Sequence, residues 1–375
     1  MNVNTASQTG LSMVAEGFPL PGRLLRGRSY GSGHINDTFL VEFDQAGATV
    51  CYILQRINHR VFKDVPALMD NISRVTTHLA RRVAAGPAPE GERRRVLTLV
   101  PAVDGGPYHR DECGGWWRCY IFIANARTYD IVENPRQARE AARAFGEFQE
   151  MLTDLPGARL HDIIPFFHHT RRRFETLRRM IEADPLGRAK AAAADIDFAL
   201  SREPMVDTLL ELQARSEMPE RVTHNDTKLN NVMIDANHAA VCVIDLDTVM
   251  PGLALYDFGD MVRSATNSAA EDERDLSRVH ARLPIFEALV QGYLSAARRF
   301  LNAAEIAHLA FSGRLITFEI GMRFLTDHLE GDVYFKTARP GHNLERARNQ
   351  FALLRSQEKQ QNAMEAIVRK EASSD

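Results

Sequence analysis

Hydrophobic patterning changes character once along this chain, at about residue 126. Before it, short apolar runs rich in β-branched and aromatic residues are punctuated by glycine turns. They comprise 23–29, 38–43, 50–57, 96–103 and 116–124. One helical stretch interrupts them at 66–82. Pro66 suits its first turn, and Leu68, Ile72, Val75 and Leu79 recur at helical spacing. Beyond residue 126 helical spacing dominates. Pro135 opens a helix with Ala142, Phe145 and Phe148 on one face, 165–215 and 280–370 read as mostly helical, and 220–247 is a small β-insert. The expected class is therefore α+β with two lobes and a ligand site between them. A loose arm would occupy 1–20, a β-rich lobe 21–126 and a mainly helical lobe 127–375.

The β-insert carries the strongest chemical signal. His224-Asn225-Asp226-Thr227-Lys228-Leu229-Asn230-Asn231 has the form H-x-D-x-x-x-x-N and runs into the apolar stretch Val232-Met233-Ile234. After it, the apolar stretch Val241 to Ile244 ends on Asp245, with Asp247 two residues on. Phosphoryl transfer needs a carboxylate beside the attacking hydroxyl and oxygen ligands for the cation bridging the phosphates. Either segment alone also fits a capped turn. The two in order, each beside an apolar strand, point to a kinase using ATP and Mg²⁺.

Three weaker signals agree. Gly31-Ser32-Gly33 lies in a turn between two strands, where glycines let backbone N–H groups approach phosphate; a plain hairpin reads the same way. Arg56, in the run Tyr52-Ile53-Leu54-Gln55-Arg56-Ile57, offers a cation where kinases use lysine, with Asp70 as its acidic partner; an exposed arginine at a strand end fits equally. The segment Phe122-Ile123-Ala124, where the patterning changes, would meet adenine through its backbone.

These residues resemble the superfamily of aminoglycoside-phosphotransferase and choline-kinase-like kinases, and within it the N-acetylhexosamine 1-kinases. The likeness rests on 224–231, on Ile244 to Gly252, on Gly331 to Lys336 with Asn343-Leu344, and on Tyr52 to Asn58. It implies a bilobal protein-kinase-like fold and transfer of the ATP γ-phosphoryl group to the anomeric hydroxyl of GlcNAc or GalNAc. Asp226 would be the base, Asn231 and Asp245 the Mg²⁺ ligands. Thr248, Arg323 and Tyr334 would join Asp226 and Asp245 around the sugar, and His224 and Asp257 would support the loop. Asp257 also suits a helix N-cap. Alternatives are kinases of an amino sugar, choline, homoserine or an aminoglycoside, and a nucleotide-binding pseudokinase regulator. The pseudokinase is disfavoured because Asp226, Asn231 and Asp245 are all present.

Other features narrow the class. A net charge of −3 over 375 residues supplies no basic field for nucleic acid, and Arg93–Arg95 and Arg171–Arg173 are too short to make one. No run approaches the ~18 apolar residues of a membrane span, and residues 1–17 lack secretory-signal features. The four cysteines show no paired spacing, consistent with reduced thiols in the cytoplasm. His168-His169 with Asp162 reads as the start of a helix rather than a metal site. A small-molecule partner and a monomer or small homo-oligomer complete the expectation.

Overall fold

The computed structural model describes residues 8–31, 33, 35–86 and 96–373. Ser32, His34 and Arg93–Arg95 lie outside the described residues. The chain forms two compact units, one comprising residues 1–126, 154–164 and 241–249, the other 127–153, 165–240 and 250–375.

In the first unit, α1 (Gln8–Ala15) precedes β1 (Arg23–Ser29), β2 (Asp37–Gln45), β3 (Ala48–Ile57), α2 (Val65–Ala85), β4 (Leu99–Val100), β5 (His109–Arg110) and β6 (Trp116–Ile121). The sheet order is β1-β2-β3-β6-β4, with β5 also on β6 and every pairing antiparallel. The stretch expected as a loose arm is a helix from Gln8 onward. Leu11, Val14 and Ala15, with Phe18 after it, are buried against Phe39, Val41, Leu54 and Trp117 of the sheet. That apolar face outweighs the polar residues around it. The run 96–103 pairs only at Leu99 and Val100, because Pro101 has no N–H to extend the ladder. The α2 helix is capped by Asp64, whose carboxylate accepts from the Ala67 N–H at 3.0 Å. Leu68, Ile72, Val75 and Leu79 are buried as their spacing requires, each contributing roughly 1.5–3 kcal/mol.

The boundary strand β7 (Ala126–Arg127) leads into the second unit, which is mainly helical. Its elements begin with α3 (Pro135–Met151), α4 (Thr170–Ala183), α5 (Ala193–Leu200), α6 (Thr208–Ala214), β8 (Arg221–Thr223) and β9 (Val232–Asp235). After β10 (Ala240–Val243) come β11 (Met250–Gly252), α7 (Ala254–Thr266), α8 (Leu283–Ala297), α9 (Ala303–Ala307), α10 (Leu309–Glu330), α11 (His342–Lys359) and α12 (Gln361–Ser373). The stretch 165–215 is broken into short helices, with Pro185, Gly187 and Pro204 at the breaks. Phe174, Leu177, Phe318, Phe324 and Phe351 centre one core of this unit. Among the described residues no helix is long and apolar enough to cross a membrane.

Candidate active site

The Asp226 loop is built from behind. Strand β8 enters it and pairs with β11, Thr223 opposite Met250. The strands approach so closely that a Cβ on Gly252 would lie 2.5 Å from Thr223 Oγ1 and 3.2 Å from Asn225 Oδ1, so only glycine fits. Past β11, α7 brings up Asp257. Its carboxylate accepts from the backbone N–H of His224 at 2.8 Å and of Asn225 at 2.7 Å, and from Gln149 Nε2 at 2.6 Å. The alternative of an N-cap falls away, since Leu253 occupies that position. Burial pushes the Asp257 carboxyl above its ordinary range, with His224 and these donors opposing. One turn on, Asp260 accepts from the Thr227 N–H at 2.9 Å and pairs with Arg263 at 2.8 Å. Burial alone would raise the Asp260 pKa, but the Arg263 and Lys228 cations hold it below the usual range. His224 is fully buried, edge-on to Phe145 and Phe148 of α3 at 5.3 and 5.8 Å between ring centres.

This scaffold leaves Asp226 partly open, with 29% of its side chain accessible. Asn231 Nδ2 donates to Asp226 Oδ2 at 3.0 Å and to the Asp226 carbonyl at 2.8 Å, and the amide oxygen takes part in neither bond. Lys228 Nζ lies 3.1 Å from Asp226 Oδ1, and that carboxylate raises the lysine's pKa, keeping it charged. Lys228 lies within the motif, where the sequence pattern alone gives it no role. Its position two residues after Asp226 was the available signal. A second unassigned support is His168. Its Nδ1 lies 2.8 Å from Glu319 Oε1 and its Nε2 3.3 Å from the Asn225 carbonyl. Glu319 is fully buried and also accepts from Thr170 Oγ1 at 2.9 Å; burial would raise its pKa, but His168 holds it low. An acid inside the apolar run Leu315 to Met322 was the clue. His169 caps α4, as a helix start requires, and Asp162 pairs with Arg159 at 2.8 Å rather than with either histidine.

Arg323 and Tyr334 come together. The Arg323 guanidinium lies 5.1, 5.6 and 5.5 Å from the ring centres of Phe167, Tyr334 and Phe335, and donates to the Tyr334 hydroxyl at 3.4 Å. Arg173 donates to the Phe167 carbonyl at 2.9 Å; burial and then the neighbouring Arg323 lower its pKa. Tyr334 is 61% exposed. Its loop hangs on Asp327, which accepts from the N–H groups of Val333, Tyr334 and Phe335 at 2.9, 2.8 and 2.9 Å and from Asn343 Nδ2 at 2.8 Å.

In the first unit, Gly31 adopts φ 79°, a left-handed conformation that favours glycine, whereas Gly33 is not so constrained. Tyr30 packs edge-on to Phe122 at 5.7 Å between ring centres, which brings the glycine turn beside the 122–124 segment. Phe122 N–H donates to the Cys51 carbonyl at 3.3 Å, and Asn125 turns the chain with φ 58°. Asp245 turns the backbone with φ 61° and is exposed, and Thr248 closes the same turn half-buried. Asp247 is 3% exposed, accepting from Asn36 Nδ2 at 2.5 Å and paired with Arg118, so of the two acids Asp245 is the one at the surface. Arg56 and Arg118 lie on opposite faces of the sheet. Strand alternation places Arg56 on the face of Leu54 and Trp117, which α1 covers, while Gln55 and Arg118 share the opposite face. Asp70 pairs with His161 at 3.0 Å and Arg74 at 3.7 Å instead. Among the described residues no three His, Cys, Asp or Glu side chains converge on a metal position. Mg²⁺ suits a sparser set, since it takes one or two protein oxygens and completes its shell with phosphate and water.

The sequence profile of the phosphotransferase enzyme family (APH) matches residues 26–296. This chain belongs to that family. Its α+β fold, with a β-sheet N-terminal region and a mostly helical C-terminal part, is the kinase-like fold of solved relatives. An aminoglycoside phosphotransferase from Alicyclobacillus acidocaldarius is similar over 99% of this chain and 98% of its own, at 15% identity and a TM-score of 0.56. A spectinomycin phosphotransferase in complex with ADP and spectinomycin covers 95% and 99%, at 11% and 0.55. A choline kinase from Cryptosporidium parvum covers 90% and 91%, at 14% and 0.53.

Proposed function

We propose that the protein is an ATP- and Mg²⁺-dependent kinase that phosphorylates the anomeric hydroxyl of an N-acetylhexosamine, GlcNAc or GalNAc, to give the sugar 1-phosphate. The observation that carries the kinase reading is the Asp226 carboxylate, oriented by Asn231 and Lys228 on a loop held by Asp257 and Asp260. Asp226 orients the sugar hydroxyl and accepts its proton late in bond formation. Asn231 and Asp245 supply the hard oxygen donors that Mg²⁺ prefers. Bound with the nucleotide, that ion neutralises phosphate charge. Lys228 adds a fixed positive charge beside the base. The turn at Gly31, Ser32 and Gly33 meets the phosphates through its backbone, and Phe122, Ile123 and Ala124 meet the adenine. The ADP bound to the spectinomycin relative supports nucleotide use by this fold.

The sugar reading rests on charge. Arg323 already stacks against the rings of Phe167, Tyr334 and Phe335, so this cluster repels a choline-like cation instead of caging it. Arg173 and Arg323 together also disfavour a polycationic aminoglycoside. A neutral polyol takes hydrogen bonds from Arg323, the Tyr334 hydroxyl and Thr248 without that penalty. The paired guanidiniums make a hydroxy acid such as homoserine the second reading. The enzyme would work in the cytoplasm, where its four free thiols stay reduced, on a small molecule rather than nucleic acid, as a monomer or small homo-oligomer.

The test is ATP consumption with Mg²⁺ against GlcNAc, GalNAc, ManNAc, glucose, choline, homoserine and kanamycin, with phosphorus NMR of any product. An anomeric phosphate on an N-acetylhexosamine supports the reading. Turnover only on another compound, or phosphate on another hydroxyl, overturns it.

A further inference from the structure

The first unit contains a buried ion pair that the mechanism above does not use. Arg118, in the middle of β6, is 1% exposed, and Asp247 is 3% exposed. The two form a salt bridge although 129 residues separate them. A chain of hydrogen bonds runs outward from the pair on both sides. Arg118 Nε donates to Gln55 Oε1 at 2.9 Å, and Gln55 Nε2 donates to Thr38 Oγ1 at 2.9 Å. The other Asp247 oxygen accepts from Asn36 Nδ2 at 2.5 Å. Asn36 Oδ1 in turn accepts from the Asn58 N–H at 2.9 Å, and Asn58 Nδ2 donates to the Ile35 carbonyl at 3.1 Å.

Two ends of this network matter. Asp247 belongs to the short turn Leu246–Thr248 that follows Asp245 directly. Asn36 lies between the Gly31 turn and β2. On its other side the same turn is tied to α2, where Asn71 Nδ2 donates to the Val249 carbonyl at 3.0 Å. Asp245 therefore stands on a turn anchored at both flanks, with one anchor shared by the chain leaving the glycine turn. A buried ion pair is a poor source of net stability, because desolvation offsets most of the attraction. What it provides here is geometry.

We propose that Arg118 and Asp247, with Asn36, are positioning residues: they hold the Asp245 turn in register with the glycine turn, so that Mg²⁺-nucleotide binding depends on them. This rests on the kinase reading above. The charge environment agrees, since the Asp247 and Asp245 carboxylates oppose the effect of burial and keep Arg118 firmly protonated.

The experiment measures ATP binding to the full chain as a function of Mg²⁺ concentration, beside thermal unfolding of each variant. The variants are Asn36→Ala, Arg118→Lys and the double replacement Arg118→Met with Asp247→Leu. Removing both charges together spares the fold an unpaired buried ion. The double variant is expected to unfold near the parent's temperature yet need about tenfold or more Mg²⁺ for half-maximal nucleotide binding, as when a group supporting a metal ligand is lost. Asn36→Ala should show a smaller rise of the same sign. Variants with lowered unfolding temperatures but the parent's Mg²⁺ dependence would reduce the pair to a packing role and overturn the proposal. A parent that binds no Mg²⁺-ATP would instead overturn the kinase reading, and this inference with it.

Discussion

Two loops of the helical unit are held in opposite ways. The Asp226 loop is caught at His224, Asn225 and Thr227 by Asp257 and Asp260, buried acids one helical turn apart on α7, and Asn225 is gripped again by His168. The loop of 331–343, which carries Tyr334, hangs on Asp327 and on Asp332, which pairs with Arg188 and accepts from Asn343, and Val333 and Tyr334 are exposed at 68% and 61%. The loop assigned to chemistry has redundant supports. The loop assigned to acceptor choice is fastened near its two ends and has a surface open to change. A fold that serves many acceptors gains from that division, because the second loop can vary without disturbing the base.

The sharpest break is at the base itself. Asp226→Asn keeps the shape and hydrogen bonds near Asn231 but cannot take a proton. We expect kcat to fall by about 10²–10⁴-fold, with ATP affinity unchanged within a few-fold, by steady-state kinetics and nucleotide titration. Preserved turnover would remove Asp226 from its role.

Next in size is Arg263→Met, which leaves Asp260 without its buried partner and should cost about 3–5 kcal/mol at neutral pH. The pH dependence has a definite sign. In the parent, Asp260 titrates below its ordinary 3.8, so its contribution is present above that pH and is lost as pH falls through the folded value. In the variant, burial without Arg263 raises the carboxyl, so stability is lost as pH rises through the new value. The gap between the two unfolding temperatures should shrink as pH is lowered toward 4, and a pH-independent gap would contradict this account.

Asp327→Ala removes the carboxylate that three backbone N–H groups of the second loop share. It should raise the KM for the acceptor about tenfold, equivalent to about 1.4 kcal/mol, while kcat and the KM for ATP change little. Equal losses in both substrates would mean that the two loops are not independent. The smallest effect is expected from Arg56→Ala, on the sheet face covered by α1. The KM for ATP should shift by less than about twofold, well below the tenfold that 1.4 kcal/mol of lost binding would give, and a larger shift would return Arg56 to the phosphate site.

Much of the local architecture was legible in the residue pattern. Period-two runs marked β1, β2, β3 and β6, and Pro135 with Phe145 and Phe148 marked α3 and its buried face. The Asp226-to-Asn231 interval marked the loop, because a hydrogen bond five residues long can be read locally. Misread segments had identifiable causes. The small apolar face of α1 was hidden among polar neighbours, and Pro101 cut short a run that looked like a longer strand.

The partners of those elements lie beyond any local pattern. Asp257 and His224 are 33 residues apart, Arg118 and Asp247 are 129, and His168 and Glu319 are 151. Periodicity reports which residues share a face, since side-chain direction repeats every two residues in a strand and every 3.6 in a helix. It says that Gln55 and Arg56 point oppositely, but not which face meets α1 and which meets Arg118. That assignment comes from packing, because a buried charge is tolerated only where a distant partner arrives to satisfy it.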